Sequence, residues 1–300
     1  MTASSMIDNL DQLSNATADR VAAAAPCVVA IRVDHRARTG ILWRPDVVVT
    51  SEQVLGDQAE LTVVHQGVEL KARLAGRDPG TNVAVLRLGE ARQGATLPAA
   101  APAPRVGELA LMIGADRAGA PTARLAMVHA TGPAWDSMAG GRIDAMLRLD
   151  GRLGADEGGP VLDATGRLLG MSTAGPRRRT LVIPTATIER VLDPLLAAGR
   201  IARGWLGAGL HKVGIPQALR AAAGRETGMM VMNLAAGSPA EQAGVLPGDI
   251  LLDVDGIAAM DARALAARLG PDRVGQPAAV TLLRAGAPVT VTVTVAARPA

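Results

Sequence analysis

Three hundred residues, 49% of them apolar, are enough for two domains with cores of their own. Net charge is only +3 despite a sequence pI near 9.9, so the high pI reflects arginine excess rather than a strongly cationic surface. With no Phe or Tyr and an aromatic content of 1%, the chain lacks the stacking platforms on which single-stranded nucleic acids are bound, which excludes that class of partner.

At the N-terminus, residues 1–25 read as a helical segment. Ser5-Met6-Ile7-Asp8 has the form of a capping box ahead of Ile7, Leu10, Leu13 and Val21. Such a helix either docks on a partner or another subunit, or packs on its own domain. The first cation, Arg20, follows Asp8, Asp11 and Asp19, and the apolar run Val21–Val33 is interrupted by Pro26 and Arg32. Neither a signal peptide nor a membrane span fits that pattern, and the expected location is the cytoplasm. Cys27, the sole cysteine, has no internal disulfide partner and reads as core filling. Runs rich in Val, Ile and Leu follow at Val28–Val33, Val47–Thr50, Leu61–Val64, Val83–Leu88 and Leu109–Ile113, separated by Gly, Pro and Asp. This is the pattern of a β-barrel or sandwich. Leu97–Pro104, rich in Ala and Pro, is the expected connector between two barrels. Thr185–Ala198 has helical spacing at Ile188, Val191, Leu192, Leu195 and Leu196 and stops before Gly199. The basic run Arg177-Arg178-Arg179 reads as a solvated turn.

Three motifs recur in order. Gly154-Ala155-Asp156-Glu157-Gly158-Gly159-Pro160 resembles the Gly-Asn-Ser-Gly-Gly-Pro loop of trypsin-like serine proteases, with Glu157 where the nucleophilic serine stands. Thr50-Ser51-Glu52-Gln53-Val54-Leu55 resembles the family's Thr-Asn-Ala-His-Val-Val, with Gln53 in the place of the histidine. Asp78-Pro79-Gly80-Thr81-Asn82-Val83-Ala84-Val85-Leu86 resembles Asp-Pro-x-Thr-Asp-Leu-Ala-Val-Leu, with Asn82 in the place of the aspartate. The resemblance therefore implies three degenerate triad positions, Gln53, Asn82 and Glu157, and a vestigial oxyanion loop at Ala155 and Asp156. Gln53 does not titrate near neutrality, and the Glu157 charge opposes an oxyanion. Losing a comparable triad costs about a million-fold in turnover. None of His35, His65, His129 and His211 lies in a motif that would bring it to residue 157, and Ser51 and Ser172 read as ordinary hydroxyls.

Further on, Gly237-Ser238-Pro239-Ala240-Glu241-Gln242-Ala243-Gly244 and Gly248-Asp249-Ile250 resemble a bacterial PDZ domain, opened upstream by Arg203-Gly204-Trp205-Leu206-Gly207-Ala208. A trypsin-like domain followed by such a PDZ resembles the HtrA (DegP/DegS-like) family. The implied fold class is mainly β: a double β-barrel at 26–200 and an α+β PDZ at 203–298. A peptide C-terminus would be held at Trp205, Leu206, Gly207 and Ala208, with Leu265 and Leu269 of a helix Asp261–Leu269 walling the groove. Leu206 and Leu265 can equally be core. The resulting expectation is a pseudoprotease that is not an enzyme and works as a peptide-binding scaffold, adaptor or regulator, without cofactor. The alternative is a serine endopeptidase of the HtrA family active by an unrecognised mechanism. Oxygen ligation of a hard cation by Glu157, Asp156, Gln53 and Asn82 is a third reading, set against side chains that simply satisfy one another. Partners by resemblance are peptide C-termini, a folded protein or further copies in a trimer, although the aromatic residues of the usual trimer interface are missing.

Overall fold

A computed structural model describes residues 3–93, 96–137, 139–176, 179–259, 261, 265 and 268–299, with side chains from Asp8 onward. Arg177, Arg178 and five residues of the expected helix Asp261–Leu269 lie outside the described residues. The chain divides into two compact units, Met1–Arg200 and Ile201–Ala300.

The first unit opens with α1 (Ala3–Ala24), which runs through Ser5 rather than starting there, correcting the capping-box reading. A helix already under way at Ala3 has no orphan amide for Ser5 to cap. Leu10 and Leu13 are exposed, so this stretch of α1 is not packed on its own barrel. Ala24 is buried where the helix meets the barrel, and the neighbouring Cys27 is fully buried. Burial pushes the Cys27 thiol up to about 12, and its Sγ–H donates to Ala24 O at 3.1 Å.

Strands β1 (Val28–Val33), β2 (Arg36–Arg44), β3 (Val47–Ser51), β4 (Glu60–His65), β5 (Val68–Asp78) and β6 (Val83–Leu88) close a barrel in the order β1-β2-β3-β6-β5-β4. Val29, Ile31 and Val33 alternate into its core with Leu42, Val48, Val63 and Leu86. Val28 and Ala30, on the other face of β1, are buried as well, because β1 also meets the strand Leu109–Ala115 of the second barrel. That double burial is why Val28–Ile31 of β1 read as a continuous apolar run.

The segment containing Leu97–Pro104 joins the barrels. The second comprises β7 (Leu109–Ala115), β8 (Pro121–Gly132), β11 (Met146–Leu149), β12 (Pro160–Asp163), β13 (Leu168–Ala174) and β14 (Thr180–Pro184), with β9 (Trp135–Asp136) and β10 (Arg142–Ile143) as a separate ribbon. Helix α2 (Thr185–Ala198) buries Ile188, Val191, Leu192 and Leu195 and ends at Gly199, whose left-handed φ of 72° lets its amide reach Leu195 O. Each buried aliphatic contributes about 1.5–3 kcal/mol.

The second unit is built on a sheet whose main path is β16 (Ala208–Gly214), β17 (Thr227–Leu234), β18 (Ile250–Val254), β20 (Pro277–Arg284) and β21 (Ala287–Thr294), with β19 (Ile257–Ala258) beside β18. Helices α3 (Gln217–Ala223) and α4 (Pro239–Gln242) and the ribbon of β15 (Gly204–Trp205) with β22 (Ala296–Ala297) complete it. Among the described residues no helix is long and apolar enough to cross a membrane.

Candidate functional site

The three motif positions converge at one point of the barrel unit. Gln53 lies in a short helical turn, Glu52–Val54, directly after β3. Asn82 precedes β6 in a turn held by Asp78, which accepts from the Gly80 and Thr81 amides and the Thr81 hydroxyl. Antiparallel pairing of Ser51 with Val83 brings the ends of β3 and β6 together. Glu157 lies in the turn before β12, and β13 runs past it.

The side chains form a closed network. Gln53 Nε2 donates to Glu157 Oε1 at 2.5 Å, to Thr173 Oγ1 at 3.0 Å and to Ala174 O at 3.0 Å. Asn82 Oδ1 accepts from the Gln53 amide at 3.0 Å and from Ser51 Oγ at 3.2 Å, while its Nδ2 donates to Thr173 Oγ1 at 2.5 Å. The other donor to Glu157 Oε1 is the Ala174 amide, at 3.0 Å. Thr173, which sequence reasoning passed over, is thus a hub, and Ser51 belongs to the network. Ser172 donates instead to Asp156 O and Gly159 O.

Gly158 and Gly159 let the turn pack closely against β2 of the first barrel and β7 of the second. A Cβ on Gly159 would lie 2.0 Å from Ile113 O, and one on Gly158 would lie 2.3 Å from Thr39 O, at a φ of +90°. Glu157 is half-buried, and its carboxylate reaches across the cleft rather than back to its own loop. The Glu157 amide itself donates to Gly154 O at 3.4 Å. The network holds one carboxyl group, two carboxamides and two hydroxyls, and among the described residues none of its bonds involves a histidine.

Asp156 is turned away, so the fourfold cation reading does not assemble: its Oδ1 accepts from Gly154 N and Arg124 Nε. Among the described residues no group of three or more His, Cys, Asp or Glu is arranged to hold a metal ion.

In the second unit, Gly204 donates to Leu269 O at 2.8 Å, and Leu206 O and Gly207 O accept from the Ala240 and Ala235 amides. Gly207 has a φ of +82°, and a Cβ there would lie 2.1 Å from that of Ser238. The Leu265 amide donates to Asp261 O and that of Leu269 to Leu265 O, one helical step each. Leu206, Leu265 and Leu269 are buried in one core with Val231 and Val280, while Trp205 and Ala208 are half-buried. Among the described residues β16 has only β17 as a strand partner, so its other edge is open. Arg284 grips Asp249 with two nitrogens, at 2.9 and 2.7 Å. Burial pushes the Asp249 carboxyl up, but the Arg284 and Leu246 hydrogen bonds and the Arg284 charge together hold it below its ordinary value.

Residues 38–171 match the model of the trypsin-like peptidase domain and residues 206–295 that of the PDZ domain. A probable periplasmic serine endoprotease, DegP-like, from Rhizobium meliloti is 30% identical over 260 residues, covering 84% of this chain and 51% of the relative. Its counterpart from Brucella suis is 30% identical over 262 residues, covering 84% and 50%. The chain therefore spans about half the length of the curated relatives it matches. Among solved structures, the serine endoprotease from Yersinia pestis aligns with a TM-score of 0.75 at 26% identity, covering 94% of this chain and 98% of that one. The HtrA-type protease AlgW with tripeptide aligns at 0.72 and 26%, covering 95% and 98%.

Two expectations are corrected by these findings. The relatives are named serine endoproteases, against the expectation that the chain is not an enzyme, and periplasmic, against a cytoplasmic location. Both expectations read an absence, of triad side chains and of a leader, as decisive. With a mainly β double barrel, a PDZ unit and relatives that share both, the chain belongs to the HtrA family.

Proposed function

We propose that this chain works in the periplasm as an HtrA-type serine protease homologue that grips polypeptide at two places. In this reading the PDZ unit, 203–298, captures C-termini through Trp205, Leu206, Gly207 and Ala208, and the barrel unit, 26–200, receives an extended stretch at Gln53, Asn82 and Glu157. The observation that carries it is the open edge of β16, which begins at the glycine-containing loop. An incoming strand can pair with such an edge through its backbone. An adaptor role follows from the same groove. The relatives' names support a periplasmic compartment and peptide-bond hydrolysis as the family activity. We take Gln53, Asn82 and Glu157 to stand at the family's catalytic positions. Hydrolysis by this chain would then use a carboxylate rather than a hydroxyl at 157, with no imidazole beside it.

Fluorescence anisotropy with a labelled decapeptide ending in an apolar residue tests capture. Saturable binding with a free C-terminus, lost on amidation, is expected; equal binding of both forms overturns the reading. Incubation with unfolded casein tests the cleft. Fragments made by the parent and not by Glu157→Ala support chemistry at 157. Binding without fragments overturns hydrolysis while leaving capture standing.

A further inference from the structure

Asp156 carries a buried charge that the network around Gln53 does not use. Its carboxylate is 3% exposed. Oδ1 accepts from the Gly154 amide at 2.9 Å and from Arg124 Nε at 3.2 Å, while Oδ2 is buried with no hydrogen-bond partner among the described residues. Around it the backbone is tied down by neutral bonds: Ala155 O accepts from Thr39 Oγ1, Asp156 O from Ser172 Oγ and Glu157 O from the Thr39 amide. Among the described residues the one ion pair on the turn is with Arg124 on β8, whose side chain is 55% exposed. Gly154 leaves space for it, since a Cβ there would lie 3.1 Å from Arg124 Nη2.

A buried, half-satisfied carboxylate keeps its place only while its counter-charge stays. Asp156 is also adjacent in sequence to Glu157, and two neighbouring carboxylates repel each other. Losing the guanidinium would leave the turn with an orphaned charge whose easiest relief is to swing Asp156 toward water. Glu157 would move with it, away from Gln53 and Ala174. We propose that Arg124 is a positioning residue: through Asp156 it sets the 154–157 turn so that the Glu157 carboxylate reaches Gln53 Nε2 and the Ala174 amide. This rests on the reading that those groups form the cleft, yet its test reads geometry and needs neither cleavage nor peptide binding.

The test is nuclear magnetic resonance of the full chain, following the Gln53 side-chain NH₂ and the Ala174 amide. In Arg124→Ala both signals should shift and the Ala174 amide should exchange at least about tenfold faster. Arg124→Lys should keep most of the parent pattern. The double variant Arg124→Ala with Asp156→Asn, which removes both charges, should recover it. Unmoved signals in a folded Arg124→Ala overturn the proposal. So does a double variant as perturbed as the single one, since packing of the arginine stem would then explain the change. If Arg124→Ala does not fold, the lysine and double variants decide. Signals around Leu206 should stay in place throughout.

Discussion

Asn82 sits at a φ of +56° and makes three side-chain hydrogen bonds, so its replacement separates backbone strain from network loss. In Asn82→Ala, Ser51 and Thr173 keep each other at 3.0 Å, and Thr173 keeps Gln53. The Gln53 amide loses its acceptor but is exposed enough for water to reach it, and one hydroxyl proton of the buried Ser51–Thr173 pair loses its acceptor as well. The hydrogen-bond loss is therefore about 2 kcal/mol rather than the sum for three orphaned partners. Alanine in the left-handed region adds about 1 kcal/mol, for a total near 3 kcal/mol. Asn82→Gly escapes the second contribution and should cost about 2 kcal/mol. Asn82→Asp keeps both acceptor bonds, tolerates the same φ and should cost the least. Urea unfolding with pulsed hydrogen exchange and mass spectrometry reads β3, β6 and β13 separately from the second unit. The reasoning is refuted if alanine costs under about 0.5 kcal/mol, or if glycine costs as much as alanine.

Three further outcomes are expected. The combined variant Gln53→His, Asn82→Asp, Glu157→Ser should be labelled at residue 157 by a fluorophosphonate; an unlabelled but folded variant would refute the assignment of these positions. Gly207→Ala forces a Cβ to 2.1 Å from Ser238 at a φ of +82°, and should weaken C-terminal peptide binding at least about tenfold. Unchanged affinity by anisotropy would exclude that loop from the groove. Because the Asp249 carboxyl is held below its ordinary value, its stabilising contribution is present above the ordinary carboxylate range, near pH 4, and is lost as pH falls through the lowered native value. Thermal melting of the second unit should therefore drop more steeply below about pH 4 in the parent than in Asp249→Asn. Equal slopes refute the linkage.

Legibility followed the source of each element's stability. Val28–Val33 and Val83–Leu88 are strands with the bounds expected from the sequence, and Thr185–Ala198 is the expected helix, because each is fixed by its own apolar spacing and turn residues. β8 was not anticipated: exposed Leu125 and Met127 stand beside buried Ala126 and Val128, so its alternating burial is masked by an unbroken apolar stretch. Gln53, Asn82 and Glu157 were found through their flanks, which still carry the turns that position them. Thr173 could not be found that way. Within Leu168–Ala174 it reads as an ordinary β-branched strand residue, and its role arises only because β13 passes the ends of β3 and β6. Leu206 and Leu265 were left open between core and groove wall, and their burial fits either, since an apolar groove floor is the upper surface of the core.

Gln53, Glu157 and Thr173 make physical sense only together. The Gln53 carboxamide needs acceptors, and it finds them in Glu157, Thr173 and Ala174 O. Glu157 needs donors for a half-buried charge, and it finds them in Gln53 and the Ala174 amide. Replacing Gln53 or Glu157 alone leaves the other with unmet hydrogen-bonding groups, so single replacements at these two positions should disturb the barrel more than their size suggests, and their effects should not add. The same network bears on what the cleft can hold. The Ala174 amide lies at the end of β13, where an extended peptide would seek a donor, and it is already bound to a carboxylate. A neutral peptide carbonyl competes poorly with an ionised acceptor. If the barrel unit receives polypeptide as proposed, an extended chain would gain the Ala174 amide only as the Glu157 carboxylate leaves it.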